Sequence, residues 1–465
     1  MAHRPQPSSY RPETPILSLG GDFYDVVAAA DFPQTMLRFR NQRWAAAVGL
    51  CDLSDAHWLR HFGRFTPLPD NLREPLALRY HGHQFRVYNP DIGDGRGFLF
   101  AQLRDDRDRL LDLGTKGSGQ TPYSRFGDGR LTLKGGVREV LATEMLEALG
   151  VETSKTFSLI ETGEALERND EPSPTRSAVL VRLQHSHIRI GTFQRLATLG
   201  QPDHIRTLTD YCLRQYYGED EGGAARLLDH VCAATARLAA SYIVAGFVHG
   251  VLNSDNIAIT AESFDYGPWR WTPFWDGHFT AAYFDHAGLY SFGRQPEAIH
   301  WDLVQLAIAL RAVATAEELM PVLETFPDRF RETLRDAFLA RLGIVAGEIE
   351  ADMALVSALE EALARRTVEI DRFFFDWRGG RLRGSGTAYQ GFDELRAMIE
   401  RHAPIPGALD HPYWSDSGPC SMHIEEVEAI WGRIAEADDW SAFEAKIAAV
   451  RRMGEAMRGE ISTGA

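Results

Sequence analysis

Apolar positions along this chain repeat with two different periods. Up to about residue 190 they come in short runs separated by charged or glycine-containing turns. Runs 98–103 and 110–113 flank a charged turn at 104–109, and runs 156–160 and 178–183 flank a loop at 167–176 rich in charge and proline. Short apolar runs bounded by such turns predict strands. One segment in this stretch breaks the pattern. Val137, Val140, Leu141, Met145, Leu146 and Leu149 fall at helical spacing, which predicts an amphipathic helix over 137–149 closed by Gly150. Beyond Thr192 long helical patterns take over, notably 224–243 and 299–313, with a short apolar piece at 257–259 between them. The order predicts a strand-rich first lobe and a helix-rich second lobe. Further helices follow residue 320, with a Pro/Gly-rich break at 402–419. The expected division is a flexible arm at 1–20, a strand-rich lobe at 21–191, a helix-rich lobe at 192–320 and a helical extension at 321–465. There is no internal repeat.

Composition narrows the partners. The 465 residues carry a net charge of −16, which argues against nucleic acid or an anionic membrane as a partner. No apolar run approaches the ~20 residues that span a bilayer, and the first residues lack the apolar core of a secretory signal. Cys51, Cys212, Cys232 and Cys420 form no C-x-x-C or zinc-type spacing, so a reducing, cytoplasmic setting is expected. Lysine is scarce: Lys116, Lys134, Lys155 and Lys446 are the whole set, against many arginines. A lysine in a chemically loaded setting therefore draws notice.

Lys116 is such a residue. It follows the predicted strand 110–113, opens the run Lys116-Gly117-Ser118-Gly119, and precedes the helix that carries Glu139. A strand lysine held by a glutamate from the following helix is what a kinase uses to bind phosphates; the bland reading is a surface lysine and a solvated glutamate. Two more glycine runs, Gly93-Asp94-Gly95-Arg96-Gly97 and Gly127-Asp128-Gly129-Arg130, lie nearby. Each taken alone is a turn; clustered beside Lys116 they suit a phosphate cradle, although none is a Walker or Rossmann motif. In the second lobe, His249 to Thr260 reads HGVLNSDNIAIT, followed by Asp265-Tyr266-Gly267. This resembles the kinase catalytic loop H-R-D-L-x-x-x-N and metal-binding D-F-G. His249 and Asn256 keep the outer positions, Val251 replaces the kinase acid, and the carboxylate has moved to Asp255. Asn256 and Asp265 are candidate metal ligands, with oxygen donors that suit Mg²⁺ and equally Mn²⁺; each taken alone is equally a turn residue. Arg182 and Arg189 are candidate phosphate clamps or a plain surface pair. The H-x-H pairs His81/His83 and His185/His187 show no third ligand for zinc. Trp269, Trp271 and Trp275 either pack the segment after Asp265 or line a substrate surface.

Several motifs in fixed order resemble the selenoprotein O family. They are Tyr80-His81-Gly82-His83-Gln84-Phe85, Gly93-Asp94-Gly95-Arg96, the run from Lys116 to Arg125, Ser186-His187-Ile188-Arg189, the run from His249 to Asn256, Asp265-Tyr266-Gly267-Pro268, and Tyr290-Ser291-Phe292-Gly293-Arg294-Gln295-Pro296. The resemblance implies a two-lobed, protein-kinase-like α+β fold with a helical C-terminal extension. It also implies ATP bound in inverted orientation, and transfer of AMP to Ser, Thr or Tyr hydroxyls of protein substrates. On this basis Lys116, Arg182 and Arg189 would hold phosphates, with Glu139 pairing Lys116. Gly93, Gly95, Arg96, Asp128 and Gly129 would complete the nucleotide site, Asn256 and Asp265 would bind Mg²⁺ or Mn²⁺, and Asp255 would be the general base. The chain departs from the family at Arg86, where a glycine is usual, and it lacks the family's terminal cysteine or selenocysteine. The alternatives are a phosphotransferase using the same pocket and a nucleotide-binding scaffold without catalysis.

Overall fold

Ten strands occupy the first part of the chain: β1 (Tyr24–Val26), β2 (Met36–Arg40), β3 (Leu76–Leu78), β4 (Gly82–Gln84), β5 (Val87–Asn89), β6 (Leu99–Arg104), β7 (Leu110–Lys116), β8 (Leu131–Thr132), β9 (Lys155–Leu166) and β10 (Thr175–Gln184). They are drawn from a computed structural model that describes residues 9–384 and 387–459. Eight form one antiparallel sheet of order β1-β3-β6-β7-β10-β9-β2, with β8 beside β10, while β4 and β5 make a separate hairpin.

The sheet is covered on both faces, and strand alternation decides which side chain goes where. Leu111, Leu113, Val179, Val181 and Leu183 pack with Trp58, Phe62, Phe98, Phe100 and Phe157. The alternate residues Leu110, Ala178 and Leu180 face Val137, Val140 and Leu141 of the helix Leu133–Ala148. Lys116 on β7 and Arg182 on β10 share this second face by parity. The register sets Leu180 opposite Lys116 and Arg182 opposite Gly114. Both cations therefore come out on the side where the helix supplies Glu139.

The helix starts four residues before the predicted position. Its N-cap Thr132 accepts a hydrogen bond from the Gly135 N–H at 3.1 Å. Gly135-Gly136 has the look of a turn, but here Gly136 gives room to the sheet: a Cβ there would lie 2.4 Å from Leu159 Cδ1. The arm expected to be loose is also different. Residues 1–8 lie outside the described chain, but from residue 9 the segment packs on the sheet. Pro12 bridges Leu103, Ile16 and Leu19 are buried, and the Ile16 N–H donates to Gln102 Oε1 at 2.9 Å.

The second part is helical, built around Gly223–Ala245, with Ile190–Thr198, Pro202–Cys212 and Gln295–Leu310 nearby. Two short strands, β11 (Phe247–Val248) and β12 (Arg270–Trp271), bracket the motif loops. Among the described residues, Gly223–Ala245 is the one helix long and apolar enough to cross a membrane, yet 72% of its apolar window is buried inside the protein. The extension beyond residue 320 packs Phe338, Phe373, Phe374 and Trp377 into a core shared with Ala240, Ile243, Val244 and Phe292 of the second lobe. Its last two helices, Ile424–Ala437 and Ser441–Arg458, then return to the first lobe. There Arg451 pairs with Glu144 at 2.7 Å and Lys134 with Glu428 at 2.7 Å, and Gly454 lies directly against Ala148.

Candidate active site

A cavity of about 750 Å³ opens between the sheet and the motif loops. At its back, Lys116 Nζ lies 2.5 Å from Glu139 Oε2, and both side chains are buried. Arg182 and Arg189 come from the end of β10 and the turn after it. Arg182 reaches Asp265 Oδ1 at 2.8 Å, Arg189 reaches Asp265 Oδ2 at 2.9 Å, and Lys116 stands 3.6 Å from Asp265. One carboxylate thus gathers three cations. Burial alone would raise the Asp265 carboxyl, but Arg182, Arg189 and Lys116 hold it well below the usual carboxylate range. The arginines are steadied from below by aromatic faces: Arg189 lies 4.4 Å over Tyr80 and 4.7 Å over Phe264, and Arg182 lies 5.1 Å over Phe264.

Asp265 sits at φ +59°, a left-handed conformation unusual for a residue with a side chain. Its three salt bridges hold it there, together with a bond between His249 Nε2 and the Phe264 carbonyl at 3.0 Å. Burial holds the His249 imidazole below its ordinary pKa, so the neutral ring donates this bond. His249 is thereby a support for the turn and not a reacting group. Asn256 donates its amide N–H to the Val251 carbonyl at 2.9 Å, which leaves the amide oxygen as the acceptor end of the side chain. Asn256 and Asp265 both line the cavity, so a hard-oxygen donor pair is available for a divalent ion.

Asp255 lines the same cavity and is buried, and among the described residues its Oδ1 has no hydrogen-bond partner. Burial pushes its carboxyl up to about 6, against the pull of the Arg189 charge. Arg189 also donates to the Asp255 backbone carbonyl at 2.8 Å, tying the phosphate-clamp candidate to the loop. The β4–β5 hairpin backs Asp255: a Cβ on Gly82 would lie 2.8 Å from Asp255 Cβ. Behind it, Asp302 is buried, and neither carboxyl oxygen has a partner among the described residues. Burial, then the Asp255 charge, holds its carboxyl well above the usual range.

The glycine runs meet as one wall. The Gly117 N–H donates to the Arg96 carbonyl at 2.6 Å and the Gly119 N–H to the Gly129 carbonyl at 3.1 Å. Gly129 has φ +70°, and a Cβ there would lie 2.3 Å from the Gly119 carbonyl, so a side chain is excluded twice over. Gly93, Gly95, Arg96, Asp128 and Gly129 all line the cavity, with Asp128 bound to Arg168 at 2.9 Å.

All candidates from the sequence thus meet at one cavity, with Glu139 standing behind Lys116. Tyr80, Gln84, Asp94 and Phe264 were not singled out. Tyr80 and Phe264 support the arginines, and Asp94 lies 3.4 Å from Arg189 while accepting the Leu78 N–H at 2.9 Å. Asp94 was visible inside the Gly93–Gly97 run, and Tyr80 and Gln84 inside the Tyr80–Phe85 motif; Phe264 carries no sequence signal. The histidines do not form a metal site, and among the described residues there is no cluster of three metal-ligating side chains. His185 and His187 do not share a strand face, because β10 ends at Gln184 and Ser186 turns at φ +100°. His185 then faces Tyr216, and His187 faces Asp112. Trp269 and Trp271 are buried, packing the segment after Asp265.

Comparisons with known proteins place the chain in a family. Residues 8–383 match the family model described as Protein adenylyltransferase SelO. The protein nucleotidyltransferase YdiU of Synechococcus elongatus is 42% identical over 475 residues, covering 95% of each chain. That of Trichodesmium erythraeum is 46% identical over 380 residues, covering 79% of each. Among solved structures, the Toxoplasma gondii rhoptry antigen kinase domain aligns at a TM-score of 0.30 with 12% identity, over 63% of this chain and 84% of that one. A likeness this slight bears on neither fold nor activity.

Proposed function

We propose, for a chain that belongs to the protein adenylyltransferase SelO family, that the cavity transfers AMP from ATP to a Ser, Thr or Tyr hydroxyl of a protein and releases pyrophosphate. Membership itself makes the protein an ATP-dependent protein nucleotidyltransferase that uses a divalent metal. The observation that carries the finer reading is the position of the acid. Val251 stands where a kinase needs its base, while Asp255 lines the cavity that also holds Lys116, Arg182 and Arg189. A base at this other point suits a nucleotide bound in reverse, with its α-phosphorus toward the acceptor.

Each residue then has a role its chemistry supports. Lys116, Arg182 and Arg189 exchange Asp265 for phosphate oxygens, and Glu139 keeps the Lys116 side chain aimed. Gly93, Gly95 and Gly129 let the backbone approach the nucleotide; Arg96 adds positive charge, and Asp128 offers an acceptor to nucleotide hydroxyl or amino groups. Asn256 and Asp265 would hold Mg²⁺ or equally Mn²⁺, which when bound neutralises charge on the α-phosphate and the leaving pyrophosphate. Asp255, ionised at neutral pH yet more basic than an exposed carboxylate, takes the proton from the acceptor hydroxyl. The freed oxygen bonds to the α-phosphorus, the bond from that phosphorus to the β-phosphate bridge breaks, and pyrophosphate departs. The four unpaired cysteines support a cytoplasmic setting.

The test is incubation of the protein with Mg²⁺, candidate protein substrates and ATP labelled at either the α or the γ position. Label from the α position on protein, absent in Asp265→Ala, is expected. Label from the γ position makes the protein a kinase despite Val251. ATP binding with neither label supports the non-catalytic scaffold.

A further inference from the structure

The loop from Val251 to Asn256 carries three side chains with N–H or O–H donors, Asn253, Ser254 and Asn256. Two of them are already spent. Ser254 Oγ donates to Gln194 Oε1 at 2.7 Å, and the Asn256 amide donates to the Val251 carbonyl at 2.9 Å. Asn253 is different. Its Oδ1 accepts two hydrogen bonds, from the Phe85 N–H at 3.1 Å and from the Tyr290 hydroxyl at 2.8 Å. A backbone N–H can only donate, so this contact fixes which end of the amide is oxygen. The Nδ2 end has no partner among the described residues, and unlike Asp255 Oδ1 it is not sealed from solvent. Asn253 lines the cavity with Lys116, Arg182 and Asp255, so its amide N–H groups open onto that space.

Local turn chemistry does not account for this arrangement. Asn253 stands at the N-cap of the turn Ser254–Asn256, a position its residue type favours, yet its side chain makes no capping bond. Two separate elements converge on its oxygen instead. Phe85 sits at the tip of the β4–β5 hairpin with φ +50°, a conformation rare for an aromatic residue. Tyr290 is fixed by Asp285, which accepts the Leu289 and Tyr290 N–H groups at 2.8 Å each, and its ring packs 5.0 Å from Phe85. Lys116, Arg182 and Arg189 gather around Asp265, whereas in the loop that carries Asp255 the unspent side-chain donor is Asn253. We propose that Asn253 is a catalytic residue, donating its amide N–H to a non-bridging oxygen of the α-phosphate as charge builds there during transfer. The proposal rests on the adenylyl-transfer reading for the identity of that phosphate. Phe85 and Tyr290 act through Asn253 as positioning residues.

The experiment uses the full chain with Mg²⁺ and, as acceptor, protein from a bacterial lysate heated to silence its own enzymes. Transfer is followed with α-labelled ATP, and with the two ATP isomers in which radioactive sulfur replaces one or the other non-bridging α-oxygen. Asn253→Asp keeps an oxygen for Phe85 and Tyr290 to hold but removes the donor. It is expected to melt like the unaltered protein, to lower kcat by about 100-fold or more, and to change the rate ratio of the two sulfur isomers by about tenfold. Tyr290→Phe loosens the amide and is expected to lower kcat by about tenfold, with the isomer ratio moving in the same direction. Unchanged kcat in Asn253→Asp overturns the proposal, because Asn253 is then a tie between loop and hairpin. A lower kcat with an unchanged isomer ratio also overturns it, because the new charge then acts without contact. In both cases the unaltered protein still transfers α-label, so the adenylyl-transfer reading stands. Absence of α-label from the unaltered protein strikes that reading and the proposal together.

Discussion

Asp255 and Gly82, which backs it, form a sensitive pair of residues. A general base contributes about 10²- to 10⁴-fold to rate, so Asp255→Asn is expected to lower kcat for transfer by at least about 100-fold while leaving ATP affinity intact. Isothermal titration with ATP beside an α-label assay checks both halves. Gly82→Ala places a methyl 2.8 Å from Asp255 Cβ and moves the base, not the nucleotide. A displacement of this kind costs about tenfold or more in rate, again with unchanged ATP binding. Lys116 and Glu139 differ in kind, because both are buried. Lys116→Met leaves the buried Glu139 carboxylate with only Arg182, 4.0 Å away, and is expected to cost about 3 kcal/mol of stability, read by urea denaturation, besides abolishing transfer. At this scale the sequence was informative wherever a charge is unavoidable: a scarce lysine, a displaced acid, two arginines. It was silent on Phe264 and on the role of Tyr80, since an aromatic under a guanidinium is written like any core aromatic.

Among the elements, the helix Leu133–Ala148 links sheet, site and extension. One side meets the sheet and carries Glu139, while Glu144 and Ala148 meet the helix Ser441–Arg458. A second clasp joins β9 to the end of Ile424–Ala437. Arg176 bonds Glu161 at 2.7 Å and Asp438 at 2.8 Å, and Arg38 bonds Glu161 at 2.7 Å. Burial alone would raise the Glu161 carboxyl, but hydrogen bonds from Arg176 and Arg38 bring it below its ordinary value. A depressed carboxylate stabilises the fold above the unfolded value of about 4.3 and ceases to do so as pH falls through the folded value. Backbone amides of Ile424–Ala437 are therefore expected to lose hydrogen-exchange protection below about pH 4, before those of Gly223–Ala245. Periodicity revealed these helices but not their ends. The start at Leu133 was hidden by two glycines, of which Gly136 lies against Leu159.

For the whole molecule, the extension is part of the catalytic body and not an appendage. Its last helices cover the outer side of the helix that carries Glu139. Removing residues 421–465 uncovers that side and leaves the buried Glu144 without Arg451. The shortened chain is expected to melt well below the full chain and to lose ATP binding although no cavity residue is deleted, which calorimetry with and without ATP measures. The sequence by itself determined the strand-then-helix order and the pattern of buried faces. Those follow from local period and composition, which any stretch of chain carries within itself. Only the tertiary structure decided that Asp265 gathers Lys116, Arg182 and Arg189, that Asp255 is backed by Gly82, and that the chain's last helices clasp its first lobe. Each of these joins residues far apart along the chain, and such contacts are selected by packing of the whole, for which no local pattern is a signal.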